Sequence, residues 1–551
     1  MTDDRIREYV FPVKIKATGG EVSGENYLLD EKILQIAVAE NELVKISGKG
    51  YVILDFGKEM YGGVRILTKR TYNKGKENSP VTARLRFGES LTETCAELGY
   101  KNATNDHAVR DMTVTLGSHS DMEFGNTGFR FLRFDLLSDD AAVLLKSIVA
   151  VYVHRDLKPA GRFNCDDERL NEIYSVAART CTLCMQSMLW DGIKRDKLVW
   201  MGDMHPEMMT IQCLFGYDKC IDDALAFVVN QFRLPEYVNL KPSYSLWFVV
   251  VLYDWYMQNG DVNLLKKHVG YVEDLFDNLD ALVDENGDMH LKGYFFDWPT
   301  HPNSDSNSGG SDDSRNGVKA LFLIALADAR EIFRVLGKDG ARLSRLESRL
   351  LKGVLPAPVK KQAVAFKALC EKDFSERVCA ALTDGGCKGF STFMAYYLLD
   401  AIANCGAKEK AVEIMKEYYG AMLDKGATTF WEDFDIQWVK GTGRIDEFPN
   451  DGEEDVHGDR GDYCYKGFRH SLCHGWSSAP VPFLTKYVLG VNVLSPGCRE
   501  IAVKPYLPDG VNRVNGSYPT PFGTVEIKHE RVNGKIISEI SAPEQVKIIR
   551  G

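Results

Sequence analysis

The sequence predicts a multidomain protein of mixed α and β structure, with a large helical region between two β regions. Apolar residues alternate with a period of two up to about residue 158, and they recur at helical spacing from there to about residue 490. The period of two then returns. We therefore expect an N-terminal β-sandwich at 1–158, a central helical toroid at 159–490 and a small C-terminal β domain at 491–551.

The N-terminal region contains short runs rich in β-branched and aromatic residues, separated by glycine, asparagine and aspartate turns. We expect strands over residues 51–57, 63–67, 82–87, 129–134 and 147–153. Gly62 and Gly63 are expected to interrupt the first two strands. Several short strands with such turns are typical of a sandwich.

The middle region has apolar stripes at helical spacing. The first stripe follows Asp166 and Asp167, either of which can cap a helix. Further helices are expected over residues 222–232, 246–258, 264–283, 317–336, 341–351, 393–404 and 408–423. The connectors between these stripes are long and unlike one another, and no regular short repeat is present, which favours a toroid over a solenoid of similar repeats. The Gly/Ser-rich residues 303–316 predict a surface loop.

The C-terminal region predicts a hairpin. Residues 524–528 and 535–540 alternate as strands do, and they flank Asn533 and Gly534.

Composition excludes several function classes. The net charge of −11 and the isoelectric point near 5.6 argue against a nucleic-acid partner. The sequence has neither an apolar export signal at its start nor a run long enough for a membrane span, so we expect a cytoplasmic protein. We expect it to be a monomer or homodimer. We expect its 13 cysteines to be reduced thiols, and Cys181 and Cys184 to be structural.

Residues 190–207 concentrate acids, cations and tryptophans. The acids are Asp191, Asp196 and Asp203, and their neighbours are Trp190, Lys194, Arg195 and Trp200. Gly192, Gly202 and Pro206 predict that the segment is a loop between two helices. Carboxylates beside indole faces suit a sugar site, and a hydrated connector with two buried tryptophans is the alternative.

All 8 tryptophans fall in the helical region, and several adjoin acids. Trp298 follows Asp297, and Trp431 precedes Glu432, whereas Trp255 lies in a helical stripe and is expected in the core. Sugars present C–H faces to aromatic rings and hydroxyls to carboxylates. The pattern therefore favours a carbohydrate pocket, although a large domain also needs large core residues.

A second acidic segment, residues 426–435, follows a helix that Gly426 is expected to terminate. Hydrolysis of a glycosidic bond typically uses two carboxyl groups. One acid from residues 191–207 and Glu432 would supply them if the fold brings the two segments together.

Other chemistries are less well supported. Asp203, His205 and Glu207 alternate, but Pro206 intervenes and the set offers few oxygen ligands, so we predict no metal. No phosphate-binding loop or nucleophile elbow stands out, and no cofactor is predicted. The residues alone leave His474 as either a pocket residue or a core histidine.

At these motifs the sequence resembles the bacterial α-L-rhamnosidases of glycoside hydrolase family 78. Their pattern Asp-x-x-x-Arg-Glu/Asp-Arg-Leu-Gly-Trp-x-Gly-Asp corresponds to residues 191–203, and Thr-Thr-x-Trp-Glu to residues 428–432. Asp297-Trp298 and the Ser-Leu-x-His element at 471–474 correspond to two further motifs. The resemblance implies an (α/α)6 toroid between β-sandwich domains.

The resemblance also implies roles. Glu432 corresponds to the general base of an inverting reaction and Asp196 to the general acid. Asp191, Arg195, Asp203, His474 and the tryptophans Trp200, Trp298 and Trp431 correspond to the sugar-binding site. Position 196 is Asp where the family usually has Glu, Lys197 replaces Arg, and Val199 replaces Gly.

The leading hypothesis is thus an inverting exo-glycosidase that acts on terminal α-L-rhamnosides, with a small carbohydrate as its only expected partner. Two alternatives remain open. One is a glycosidase for another deoxy sugar or a uronide, and the other is a sugar-binding homologue whose acid site has weakened.

Overall fold

The computed structural model describes residues 3–301, 310–463 and 465–551. It has a β-rich N-terminal region, a helical middle and C-terminal β sheets, in the order that the hydrophobic periods predict. Part of the loop expected at 303–316 lies outside the described residues, and the chain is already helical from Asp312.

One sheet of eight strands organises the N-terminal region. Its path is β1-β8-β3-β7-β5-β6, and β2 and β4 also pair with β3. The strands are β1 (Arg5–Val10), β2 (Lys14–Ser23), β3 (Val44–Asn73), β4 (Lys76–Glu77), β5 (Val81–Gly88), β6 (Asp111–Leu116), β7 (Ser120–Leu136) and β8 (Ala141–Arg155). The expected strands at 82–87, 129–134 and 147–153 are confirmed.

The expected interruption at Gly62 and Gly63 is wrong, because β3 runs through both glycines. The pairing of β3 with β7 shifts register here instead. Gly62 has φ 145°, and a Cβ at this position would lie 1.9 Å from the carbonyl oxygen of Val151 on β8. The missing side chain therefore permits close approach of the strands rather than a break.

A short helix, α1 (Leu91–Cys95), follows β5, and twelve helices occupy the described part of the middle region. These are α2 (Glu168–Cys184), α3 (Met201–Phe215), α4 (Lys219–Gln231), α5 (Pro242–Asn259), α6 (Val262–Asp280), α7 (Asp312–Val335), α8 (Ala341–Leu350), α9 (Lys361–Glu371), α10 (Glu376–Thr383), α11 (Ala395–Asn404), α12 (Lys408–Asp424) and α13 (Pro480–Phe483). Each expected helix is confirmed. Asp167 is the N-cap of α2, since its carboxylate accepts hydrogen bonds from the backbone N–H groups of Arg169 and Leu170.

The expected loop at 190–207 is wrong in its second half, because α3 begins at Met201 and continues through Pro206. Pro206 lacks the N–H that would bond the carbonyl of Gly202 one turn earlier. Nearly all of α3 is buried, and this packing outweighs the lost hydrogen bond.

Two small sheets form the C-terminal region. Their paths are β10-β11-β15 and β14-β13-β12-β9. The strands are β9 (Arg162–Cys165), β10 (Val491–Val493), β11 (Glu500–Val503), β12 (Arg513–Thr520), β13 (Gly523–Val532), β14 (Lys535–Ser541) and β15 (Lys547–Arg550). The expected hairpin is confirmed, with Asn533 at φ 50° and Gly534 at φ 78° between β13 and β14. Strand β9 directly precedes α2 in the chain and pairs antiparallel with β12.

The expectation that every cysteine is reduced is wrong for one pair, since Cys379 and Cys405 form a disulfide. Their separation of 26 residues gave no sequence signal, because only the packing of α10 beside α11 brings them together. Cys181 and Cys184 are buried free thiols whose pKa is raised by burial, as structural cysteines should be. No helix in the described ranges is both long and apolar enough to span a membrane.

Candidate active site

A cavity of about 210 Å³ brings the two acidic segments together. Its acids are Asp191, Asp196, Asp203 and Glu432. Its aromatic residues are Trp200, Tyr244, Phe295, Trp298, Tyr465 and Trp476, and its basic residues are Arg195, Lys241 and His474. Acids, bases and aromatic faces in one concave site are the composition that a carbohydrate pocket requires.

The segment before α3 and the first turn of α3 supply three of the acids. The backbone N–H of Leu198 donates to Asp191 Oδ1 at 2.8 Å, and the N–H of Gly475 donates to the Asp191 carbonyl at 2.7 Å. Asp203 is the third residue of α3, where a carboxylate is favoured by the helix dipole. The segment is thus folded back so that Asp191 and Asp203 face the same cavity.

Glu432 follows the loop after α12, which ends as expected with Gly426 in a left-handed conformation. The Glu432 N–H donates to the carbonyl of Ser471 at 3.0 Å, and the Ser471 N–H donates to Glu432 Oε2 at 3.1 Å. Trp476 Nε1–H donates to the Glu432 carbonyl at 2.9 Å. Backbone and side chain of Glu432 are therefore both fixed by residues 471–476.

Arg195 joins the two carboxyl groups assigned to catalysis. Its Nη1 lies 3.1 Å from Asp196 Oδ1, and its Nη2 forms a buried ion pair with Glu432 Oε1. Burial alone would lower the pKa of Arg195, but Glu432 and Asp196 outweigh it and raise the pKa. The guanidinium stays charged and pairs with a residue that is 237 positions away in the chain.

His474 lies between Asp203 and Glu432. Its Nε2 is 3.1 Å from Asp203 Oδ2, and its Nδ1 is 3.8 Å from Glu432 Oε1. Burial would lower the pKa of His474, but Glu432 and Asp203 outweigh it and raise the pKa. Burial raises the pKa of Asp191 well above its usual range, against the opposing charge of His474. A protonated imidazole and hydrogen-bonding carboxyls can together bind several sugar hydroxyls.

Asp196 differs from the other acids in its exposure. Its side chain is 18% exposed, whereas that of Glu432 is 1% exposed. Asp196 has a left-handed backbone with φ 53°, and its N–H donates to Nδ1 of His107 at 3.2 Å. His107 belongs to the N-terminal region, which therefore reaches the rim of the cavity beside this acid.

Aromatic rings form the cavity walls. Trp200 packs edge-to-face against Tyr244 with ring centroids 5.9 Å apart. Trp298 donates from Nε1 to the hydroxyl of Tyr465 at 2.8 Å, and Asp297 caps the short turn that begins at Trp298. These contacts hold both indoles in place before a ligand binds.

The structure places Trp431 outside the cavity wall, contrary to the expectation from the motif. Its side chain is 1% exposed and packs edge-on against Phe434 and His470. The chain turns between Trp431 and Glu432, so that the indole enters the core while the carboxylate enters the cavity. Trp255 is fully buried, as expected.

Sequence reasoning missed five residues that line the cavity: Lys241, Tyr244, Phe295, Tyr465 and Trp476. Two of them had a usable signal, since Trp476 follows His474 by two positions and Phe295 precedes Asp297 by two. The other three lie outside the acidic segments and carried no sequence signal.

The cluster considered for a metal does not converge. His205 contacts Tyr397 and Asp254, and Asp203 contacts His474. The carboxylate of Glu207 faces Gly475, where an added Cβ would lie 1.6 Å from its Oε1. The three side chains therefore point to different partners.

Comparison with known proteins gives consistent matches. Residues 158–351 match the bacterial alpha-L-rhamnosidase 6 hairpin glycosidase domain, and residues 490–549 match the bacterial alpha-L-rhamnosidase C-terminal domain. An alpha-L-rhamnosidase of Alteromonas sp. (strain LOR) is 22% identical over 530 residues, which cover 87% of this chain and 53% of that protein. One of Formosa agariphila is 21% identical and covers 90% of this chain and 54% of that protein. The chain thus spans about half the length of these relatives.

Solved structures share the fold. A GH78 family rhamnosidase of Bacillus sp. GL1 superposes with a TM-score of 0.73 at 19% identity, covering 93% of this chain and 55% of that one. A rhamnosidase from Klebsiella oxytoca with rhamnose bound has a TM-score of 0.66 at 19% identity, covering 88% of this chain and 96% of that one.

Proposed function

We propose that this chain, whose residues 158–351 and 490–549 match domains of bacterial α-L-rhamnosidases, is a glycoside hydrolase that removes terminal α-L-rhamnosyl residues with inversion. The main supporting observation is that Glu432 and Asp196 line one cavity and share the guanidinium of Arg195. An inverting reaction requires one carboxyl group to donate a proton and another to accept one.

Glu432 is proposed as the general base. It takes a proton from a water molecule, and that water attacks the anomeric carbon as the glycosidic bond breaks. Its buried position, its ion pair with Arg195 and the hydrogen bond that the Ser471 N–H donates to its Oε2 favour a fixed geometry for that water.

Asp196 is proposed as the general acid. It donates its proton to the glycosidic oxygen, so that the aglycone leaves as a neutral alcohol. Its partial exposure at the cavity rim is consistent with contact to a departing group that differs between substrates.

The remaining cavity residues are proposed to bind the sugar. Asp191, Asp203 and His474 would hold hydroxyl groups, and Trp200 and Trp298 would contact the C–H faces of the ring. Arg195 would hold both catalytic carboxylates in position. Trp431, whose indole is buried in the core, would hold the backbone of the adjacent Glu432 in place.

We further propose that the helices form an (α/α)6 toroid between two β-sandwich domains, with boundaries near residues 158 and 490. The six-hairpin domain match supports this architecture. A cytoplasmic monomer or homodimer that uses no metal or other cofactor remains our expectation.

The test is turnover of an aryl α-L-rhamnoside, followed by NMR of the first-formed sugar. Inversion predicts that β-L-rhamnose appears before mutarotation equilibrates the anomers. Release of α-L-rhamnose first would contradict inversion. A panel of aryl glycosides tests the glycone, since preferred turnover of another deoxy sugar or a uronide would change the substrate assignment.

A sugar-binding protein without turnover is the second candidate, and the short Asp196 side chain beside His107 favours it. It predicts saturable binding of L-rhamnose by calorimetry with no hydrolysis of any glycoside. In that case Asp196→Glu, which restores the longer arm, should produce measurable turnover.

A further inference from the structure

The N-terminal region places three buried glutamates behind the cavity. Glu59 lies on β3, Glu89 follows β5, and Glu93 lies on α1. The side chains of all three are almost fully buried. Glu89 contacts Leu472 and Glu93 pairs with Lys194, and none of the three glutamates lines the cavity.

Glu89 holds the segment that follows residue 470. The backbone N–H of Leu472 donates to Glu89 Oε2 at 2.7 Å, and the Ser471 hydroxyl donates to Glu89 Oε1 at 3.1 Å. The N–H of Ser471 in turn donates to Glu432 Oε2. The Glu89 carboxylate, from the N-terminal region, thus holds Ser471, and Ser471 holds one oxygen of Glu432.

Glu89 also acts on the segment that carries Arg195. Lys194 Nζ lies 3.1 Å from Glu89 Oε2 and 2.8 Å from Glu93 Oε1. The same ammonium donates to the carbonyls of Phe468 and His470 at 2.7 and 3.0 Å. Arg195, the next residue, pairs with the second oxygen of Glu432. One oxygen of Glu432 therefore contacts Ser471, which is itself a partner of Glu89. The other oxygen contacts Arg195, which directly follows Lys194, the second partner of Glu89.

This cluster is not a vacant metal site. Single ligand atoms of Glu89, Glu93 and His457 lie within 4.8 Å of one another. The Lys194 ammonium already occupies the position between the two carboxylates. His457 Nδ1 is hydrogen-bonded to the hydroxyl of Ser90 at 2.7 Å.

We propose that Glu89 is a positioning residue for Glu432, through Ser471 on one side and Lys194 on the other. The proposal rests on the function proposed above for Glu432. It makes the N-terminal β region part of the catalytic apparatus, because a residue outside the helical region sets the orientation of the base.

The expected effect follows from the geometry. The side chains that bind the sugar have other anchors: Asp191 is held by Leu198 and Gly475, and Asp203 by Tyr244. Removal of the Glu89 carboxylate would let Ser471, Leu472 and the Glu432 carboxylate move, whereas His474 keeps a separate anchor because its backbone N–H donates to the carbonyl of Phe430 at 3.1 Å. A shift of about 1 Å in a reacting group can cost about 100-fold in rate.

The experiment compares Glu89→Ala with a matched control, Glu97→Ala. Glu97 is a nearby glutamate whose side chain is 65% exposed and pairs with Arg84 and Arg86 rather than with the cavity segments. We expect Glu89→Ala to lower kcat about 10- to 100-fold, with KM and the calorimetric Kd for L-rhamnose within about threefold of wild type. Glu97→Ala should leave all three unchanged.

Glu89→Gln separates charge from shape. Its amide can still accept from Leu472 and contact the Ser471 hydroxyl, but it loses the charge that faces Lys194. We expect kcat between those of wild type and Glu89→Ala. If Glu89→Ala does not fold, Glu89→Gln and Ser471→Ala provide the comparison, and each should lower kcat at unchanged KM.

Two results would overturn the proposal. One is a wild-type kcat per folded molecule in the Glu89 variants, with folding checked by circular dichroism and Tm. The other is an equal effect on kcat and on L-rhamnose binding, which would indicate general disruption. The proposed function fails in a different way, namely if Glu432→Gln retains wild-type turnover or wild type hydrolyses no glycoside.

Discussion

The two sides of the cavity are built differently. On one side, Glu432 is buried and both of its oxygens are bonded to groups that are themselves buried. On the other side, Asp196 lies at the rim, and both Asp196 and Lys197 have left-handed backbones with φ 53° and 55°. The first side is closed by packing, and the second is open to solvent and to a leaving group.

This difference matches the two proposed tasks. A base must hold one small molecule, water, at one position, so a rigid and buried carboxylate suits it. An acid must meet the oxygen of whatever aglycone is attached to the sugar. Left-handed backbones cost about 1 kcal/mol or more for residues other than glycine, and they persist where surrounding contacts hold them. The contacts of Asp196 with Arg195 and His107 hold this one.

The largest effect is expected from Glu432→Gln, which removes the base and keeps its size. We expect kcat for an aryl α-L-rhamnoside to fall about 1,000-fold, because general base catalysis typically contributes about 100- to 10,000-fold. L-rhamnose binding should persist in calorimetry. Glu447→Gln, at an exposed position 15 residues further along the chain, is the control and should behave as wild type.

Asp196→Asn tests the open side. Loss of the acid matters most when the leaving group is a poor one, so we expect kcat/KM to fall about 100-fold or more for an alkyl rhamnoside. With a strongly activated nitrophenyl leaving group the fall should be about tenfold or less. Equal losses on both substrates would show that Asp196 is not the proton donor.

Trp298→Ala and Trp431→Phe compare a tryptophan that lines the cavity with one that is buried behind it. Stacking contributes about 0.5–1.5 kcal/mol, so KM should rise up to about tenfold with a smaller change in kcat. Trp431→Phe should leave KM unchanged, because this indole does not line the cavity. A higher KM for Trp431→Phe than for Trp298→Ala would reverse the assignment of the wall.

The smallest effect concerns stability and pH. Asp297, behind Trp298, is 1% exposed, and burial raises the pKa of its carboxyl to about 7, against a hydrogen bond from Ser391. A carboxyl whose pKa is higher folded than unfolded stabilises most below its unfolded pKa of 3.8, and the benefit is lost as pH rises through about 7. The Tm of wild type should therefore fall more between pH 5 and pH 8.5 than that of Asp297→Asn.

We expect the two Tm curves to separate between pH 5 and pH 7 and to stay about 1–3 °C apart above pH 7, since one pKa unit corresponds to about 1.4 kcal/mol. Parallel curves would show that Asp297 keeps its charge in the folded protein. Asp435→Asn, at the partly exposed N-cap of a short turn, serves as the control.

Much of the fold could be predicted from hydrophobic periodicity, because apolar segments as long as those of α5 and α7 are longer than a loop would contain. Local rules failed where tertiary contacts decided the outcome. Pro206 lies inside a helix because α3 is buried, and β3 passes through Gly62 because a neighbouring strand comes close.

The site followed from sequence only where residues sit in recognisable motifs. Asp191, Asp203 and Glu432 do, and they reach the cavity. Trp431 sits in the same motif, but its indole packs against Phe434 in the core instead of lining the cavity. From the N-terminal region, His107 contacts Asp196 and Glu89 contacts Leu472 behind the cavity, and no spacing in the chain relates these residues, which are about 90 to 380 positions apart.

The pairing of β9 with β12 has a practical consequence for dissecting this protein. Strand β9, just before the first long helix, and strand β12, well after the last long helix, pair in one sheet. A shortened chain that stops before residue 513 would strip β9 of its partner and expose an unpaired edge, which invites aggregation. The helical region is therefore an insertion within a β scaffold, and attempts to isolate it should keep both flanks.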